Sequence, residues 1–245
     1  LVAALGTPGT ARSGPTSVLL APWVADALIG HYLAGNLAGE NVAEGRSRFS
    51  LEQFRTREKV MREDVSVVVD TAIPLGPGSS PCTPEGIPSG SVRLIDSGRL
   101  STPILNVRYA AKCGRTPTPV PQPGLAAGDS GLFLRACTAG TWKDLLRQTS
   151  EGLLVCSVLG LHTQDPTTGN FSLAAPETLV IQEGRCAGGV KAVISGNFLD
   201  ALVDDGTCFG VDEDRPNPGI RLLCQATVNG PYDLRGGMLS ARGES

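Results

Sequence analysis

SVLLAPWVADALIGHYLAGN, residues 17–36, changes its period at Pro22. The first five residues are a short apolar run of strand length. Pro22 fits the first turn of a helix, where a missing N–H costs nothing. Val24, Ala27, Leu28 and His31 then fall at i, i+3, i+4 and i+7, which places them on one helical face. Gly35 and Gly39 close the helix. The stretch reads as a buried strand feeding a short helix, and it carries one of only two histidines in the chain. His31 is either half of a metal site or a histidine held by hydrogen bonds in the core or along a channel wall.

Outward from this unit the chain is dominated by strands and turns. VSVVVDTA (65–72) reads as a strand. Residues 91–105 read as a hairpin around Asp96, Ser97 and Gly98. TLVIQEGRCAGGVKAVISG (178–196) is a second hairpin, and IRLLCQATVNG (220–230) a last strand. LFLRACTAG (132–140) is another strand. LLVCSVLGLHTQ (153–164) reads as one long strand with a bend at its internal glycine, and DPTTGN (165–170) as a turn. Helices are short. The polar stretch 45–64 holds at most a helical turn, and 106–114 is a helix closed by Gly114. Residues 141–152 form a helix with Thr141 as N-cap and Gly152 as its stop, and residues 197–203 form one more. Pro- and Gly-dense segments at 74–90 and 115–131 admit no regular element; loops that long are often functional. Seven to nine strands in hairpin-linked runs against three or four short helices specify an antiparallel-rich α+β fold with curled, barrel-like sheets. Residues 1–16 read as a linker or loop, 17–230 as one domain and 231–245 as a tail.

Composition narrows the function. Net charge is -3 without a basic cluster, and nucleic-acid binding needs a basic face. Aromatic residues are 4% of the chain, too few for a base-stacking platform. No apolar run approaches the roughly 20 residues that span a bilayer, and residues 1–17 lack the basic n-region of a signal peptide. Seven cysteines, none in a C-x-x-C pair, suit free thiols in a reducing compartment. The expected address is the cytoplasm, with neither nucleic acid nor membrane as partner.

Five segments, in order, resemble the C-terminal domain of the TldD/PmbA family. They are SVLLAPWVADALIGHYLAGN; GSSPCTPEGIPSGSVRLIDSGRLSTPILNVRYAAKCG; GTWKDLLRQTSEGLLV; VLGLHTQDPTTGNFSLAAPETLVIQEGRCAGGVKAVISGN; and NPGIRLLCQATVNG. They extend over residues 17–230. The resemblance implies intracellular peptidases that act as heterodimers. One subunit type, TldD, holds zinc through His-Glu-x-x-x-His on a helix and a distant Cys. The other, PmbA or TldE, is similar in fold, lacks those ligands, and helps enclose a channel for an extended peptide. Members usually have an N-terminal α/β domain before this region, so the chain is expected to be a shortened member or one from which that domain was removed.

Matched to the metal-binding helix, Asp26 stands at the first His, Ala27 at the Glu and His31 at the second His. Zinc hydrolases need about three protein ligands, an open position and a carboxylate to take the proton of water. Ala27 supplies none of these, and the segment resembles the PmbA type. The expectation is no catalytic residue and no metal in this chain, with zinc in the partner subunit. A fallback set joins Asp26, His31 and Cys208, which lies loosely where the TldD-type Cys precedes the last strand. Positions i and i+5 of a regular helix point about 140° apart, so that set needs a distorted helix.

His31, Glu85, His162 and Asn170 are the substrate-channel candidates. Glu85 matches the family's Glu-Gly segment, but Thr83 and Pro84 replace the Asp pair that precedes it there. His162 is read as a strand residue, either satisfied by neighbours or touching peptide. Cys156 and His162 lie about 20 Å apart on an extended strand, too far for a thiol–imidazole pair, and no G-x-S-x-G elbow is present. The leading expectation is a metal-free, non-catalytic subunit that completes the peptide channel of a zinc-bearing TldD-type partner. The alternatives are an independently active amide hydrolase of a specialised biosynthetic pathway and a structural binding module.

Overall fold

In the computed structural model, residues 6–76, 78–121, 131–136, 138 and 140–232 are described. Ten strands run in chain order: β1 Gly14–Leu20, β2 Val65–Asp70, β3 Ser91–Asp96, β4 Arg99–Leu100, β5 Leu132–Ala136, β6 Glu151–Val155, β7 Asn170–Gln182, β8 Arg185–Asn197, β9 Cys208–Gly210 and β10 Gly219–Pro231. Six short helices accompany them: α1 Pro22–Ile29, α2 Gly39–Ala43, α3 Leu51–Thr56, α4 Val107–Cys113, α5 Trp142–Gln148 and α6 Phe198–Ala201. The α+β, barrel-like expectation holds, with more helices than the sequence suggested.

Five strands close on themselves in the order β1-β6-β7-β8-β10, because β1 also pairs with β10. β1 runs parallel to β6 and antiparallel to β10. One edge of β10 is given to β1; the other is shared between β9 at its start and β8 at its end. The long β7–β8 hairpin turns at Glu183 and Gly184, both at positive φ (48° and 73°), which gives the primed turn that matches strand twist. Pro176 sits where the β7–β8 register shifts, a place that tolerates a residue unable to donate. The second sheet, β4-β3-β2-β5, is antiparallel. Val65, Val67 and Val69 of β2 are fully buried while Ser66, Val68 and Asp70 are half-buried, so the expected strand presents one face to the core. The buried faces of both sheets belong to one continuous core.

Helix ends follow their caps. Ser50 and Gln53 form a capping box at α3, Thr141 and Asp144 another at α5, and Asn106 and Asn197 cap α4 and α6. Each cap satisfies an orphan N–H of the first turn.

Four expectations need correction. Gly152 does not stop α5, which ends at Gln148; it lies in β6, and a Cβ there would come within 2.4 Å of the Ser17 carbonyl oxygen of β1. The glycine lets two strands approach. Residues 153–164 are not one strand: β6 ends at Val155, and Leu161–Thr163 is a 3-10 turn. An apolar run alone cannot tell where a strand gives way to a loop that stays apolar in composition but turns out toward the surface, as Leu159 does at 61% exposure. β1 begins at Gly14, and Gly9 N donates to Gly189 O at 2.9 Å, so part of 1–16 is paired. Finally, Ala27 and His31 are only half-buried; the core face of the first helix is Val24, Ala25, Leu28, Ile29, Tyr32 and Leu33. Most of the 115–131 loop, Cys137 and residues 233–245 of the expected tail lie outside the described residues.

Candidate functional site

α1 does not end at Ile29. Gly30–Ala34 continues it as a π turn, a wider turn whose N–H groups reach back five residues and which recurs at functional sites. The segment beyond α1 meets the loop that leads into β7. Four alternate carbonyls of that loop are each held by a side chain. His31 Nε2 lies 3.1 Å from Gln164 O. Asn36 Nδ2 donates to Pro166 O at 2.8 Å. Arg48 Nη1 and Asn197 Nδ2 donate to Thr168 O at 3.0 and 2.9 Å. The Tyr32 hydroxyl donates to Asn170 O at 2.8 Å. A carbonyl only accepts, so His31 carries its proton on Nε2 in this arrangement. Asn36, 2% exposed, also donates to Tyr32 O and accepts from Arg48 N, which ties the helix, the loop and the chain after α2 together. Burial, with the Asp165 carboxylate adding to it, pushes the Tyr32 phenol up to about 12.

Asp26 belongs to a different network. Its Oδ1 accepts from Asn217 Nδ2 at 2.5 Å. Asn217, 1% exposed, also accepts from Leu134 N at 2.7 Å and donates to Leu132 O at 3.1 Å. Its amide therefore pairs with the edge of β5 much as a neighbouring strand's peptide group would. Cys208 is in a third place: its Sγ accepts from Arg221 Nη2 at 3.1 Å, and Arg221 Nη1 reaches Thr149 Oγ1.

The fallback metal set is thus dispersed. Asp26 is engaged by Asn217, His31 by the loop carbonyl and Cys208 by Arg221. Among the described residues no group of three or more His, Cys, Asp or Glu is placed to hold a metal ion. The residues present do not fit zinc: His31 has no pair of further ligands gathered around it among the described residues, and Ala27 cannot take a proton from water.

The channel candidates separate as well. His31 and Asn170 meet in the loop-holding network, where Asn170 Oδ1 also accepts from Asn197 Nδ2 at 3.0 Å. His162 is exposed on its 3-10 turn rather than in a strand. Glu85 lies elsewhere. Its Oε2 accepts from Val107 N at 2.8 Å, closing the first turn of α4, and it lines a cleft of about 300 Å3 with Glu40, Thr83, Ile104 and Val120. Burial raises the Cys156 and Cys224 thiols to about 11 and about 12, away from the thiolate a nucleophile requires. Sequence reasoning missed Tyr32, Asn36, Gln164 and Asn217. Only Asn36 carried a signal, as an amide just past a helix; Asn217 sits between two prolines and reads as turn.

Residues 13–219 match the family described as "PmbA/TldA metallopeptidase C-terminal domain". An uncharacterized protein from Methanocaldococcus jannaschii is 21% identical over 196 residues, which are 78% of this chain and 45% of that protein. A proposed modulator of a DNA gyrase from Thermotoga maritima superposes with a TM-score of 0.73 at 26% identity, covering 92% of this chain and 52% of its own. TldE from Thermococcus kodakarensis superposes with a TM-score of 0.70 at 19% identity over 89% of this chain and 51% of its own; at that identity the likeness concerns the fold. The chain spans about half the length of these relatives. Among the described residues no helix is long and apolar enough to cross a membrane.

Proposed function

Because the chain belongs to the PmbA/TldA metallopeptidase C-terminal domain family, we propose that it is the metal-free subunit type of such a peptidase. It completes a channel for an extended peptide, while a zinc-bearing TldD-type partner supplies the metal and the general base in a reducing, cytoplasmic setting. The observation that carries this reading is the state of the would-be metal helix: Asp26 is bonded to Asn217, Ala27 has no carboxylate, and among the described residues no set of three ligands forms around His31, whose Nε2 meets Gln164 O. What survives of that helix holds a loop in place. An extended substrate would gain main-chain hydrogen bonds from such a β-rich partner.

The test is reconstitution. The purified chain alone is expected to bind no stoichiometric zinc and to cleave no unfolded peptide. Mixed with a zinc-bearing family member from the same source, it should restore chelator-sensitive cleavage. One equivalent of zinc in this chain, lost on His31→Ala, would overturn the proposal. So would chelator-sensitive amide hydrolysis by the isolated chain that Cys208→Ser removes.

A further inference from the structure

The cleft beside Glu85 has a composition that the loop-holding network does not explain. Its floor is apolar: Ile104 and Val120 are 4% and 3% exposed. Several acceptors among its neutral polar groups are already engaged. Thr83 Oγ1 accepts from Ile87 N, Thr118 Oγ1 bonds both Leu105 N and Leu105 O, and Asn106 Oδ1 accepts from Tyr109 N. Among the described residues, the charged ones lining it are two carboxylates, Glu40 and Glu85. Each uses one oxygen within the protein, Glu40 on Arg46 and Glu85 on Val107 N. The cleft is near the small end of ligand-site volumes.

An apolar floor below carboxylates matches a group with an aliphatic stem and a cationic head, as lysine and arginine present when they lie along apolar surface. A neutral amide or hydroxyl would gain only ordinary hydrogen bonds from the two carboxylates, a cation gains charge pairing as well, and an anion would be repelled. We propose that this cleft is a subsite for a lysine or arginine side chain of the extended peptide. The proposal deepens the peptide-channel reading and rests on it. It assigns the chain a part in substrate selection, separate from any part in catalysis.

The experiment uses the full chain and a fluorescein-labelled hexapeptide, Ala-Ala-Arg-Ala-Ala-Ala, with versions carrying citrulline or norleucine in place of arginine. Fluorescence anisotropy at low salt reads the affinities. The arginine peptide should bind roughly tenfold tighter than the citrulline peptide, as two half-exposed charge pairs permit. Glu40→Gln with Glu85→Gln should erase that preference and leave the citrulline affinity unchanged. Both amides keep an acceptor oxygen for Arg46 and Val107 N, and Glu40→Gln alone, on the rim, should halve the preference at least. Equal binding of arginine and citrulline peptides overturns the proposal, as does no binding of any peptide or a preference that survives both substitutions. If the free peptides show no preference while the double variant loosens association with the zinc-bearing subunit, the cleft takes a basic side chain of that subunit and the proposal also falls. The parent reading fails on other readouts, zinc content and activity of the chain alone.

Discussion

Removing the side chain of Asn217 tests how the helix and the second sheet are joined. Asn217→Ala deletes three hydrogen bonds at once: from Leu134 N, to Leu132 O and to Asp26 Oδ1. The two main-chain groups belong to the edge of β5, and Leu132 and Leu134 are 0% and 1% exposed. Leaving a buried donor or acceptor unpaired costs about 1–3 kcal/mol per group. Water entering the small space left behind would recover part of that, so the net loss is about 3 kcal/mol. For a chain of this size the melting midpoint should fall by about 6–12 °C, read by circular dichroism and checked by urea titration. Asp26→Ala leaves the β5 pairing intact and should cost clearly less. The two changes share one bond, so the double variant should be less destabilised than the sum of the singles. A midpoint that moves by less than about 2 °C in Asn217→Ala, or strict additivity with Asp26→Ala, would refute the picture of Asn217 as the missing neighbour of β5.

Three further outcomes follow from the same coordinates. Tyr32→Phe should cost about 1 kcal/mol through the lost bond to Asn170 O. Because the native Tyr32 phenol holds its proton to about 12, the unfolded chain ionises first; stability should decline as pH rises from about 10 through about 12, and Tyr32→Phe should flatten that decline in alkaline denaturation curves. Gly152→Ala would push a Cβ to 2.4 Å from Ser17 O; forcing β1 and β6 apart should cost about 1–3 kcal/mol by thermal melting, while Gly35→Ala, at φ -67° and with nothing nearer than 3.9 Å to its Cβ, should stay soluble and lose far less. Alkylation of the native chain at mildly alkaline pH should modify exposed Cys82 first and Cys156 and Cys224 only after unfolding, as peptide mass mapping would show; rapid native labelling of Cys224 would contradict its burial.

The parts of this fold legible in the sequence are those with short-range causes. Val65, Val67 and Val69 alternate, Ser97–Gly98 and Glu183–Gly184 mark tight turns, and Asn106 and Thr141 are good caps; each element appeared where its residues require it. The misses have long-range causes. Gly152 resembled a helix stop because its real constraint, the Ser17 carbonyl, lies on a strand far away in sequence. The π turn after Ile29 has no periodic signature, since its five residues make a single turn, too short to repeat a period. His31 could be recognised as a residue that either ligates or is hydrogen-bonded. That its partner is the Gln164 carbonyl depends on where residues 161–170 dock, and they were read as partly strand. Asn217 was invisible because its role comes from the lone edge of β5.

The double pairing of β1 also bears on how the molecule is made. Gly14 is joined to Ala226, roughly 200 residues away, and a contact that distant is entropically late to form. On a ribosome adding about 5–20 residues per second, β1 would wait on the order of ten seconds or more for β10 to emerge. Through that interval one edge of the future barrel has no partner. The apolar side chains of Val18, Leu19 and Leu20, fully enclosed in the finished ring, are then available to chaperones or to other nascent chains. Slow translation between residues 20 and 219 should therefore lower the yield of this protein through aggregation more than it would for a fold whose first strand pairs with its second.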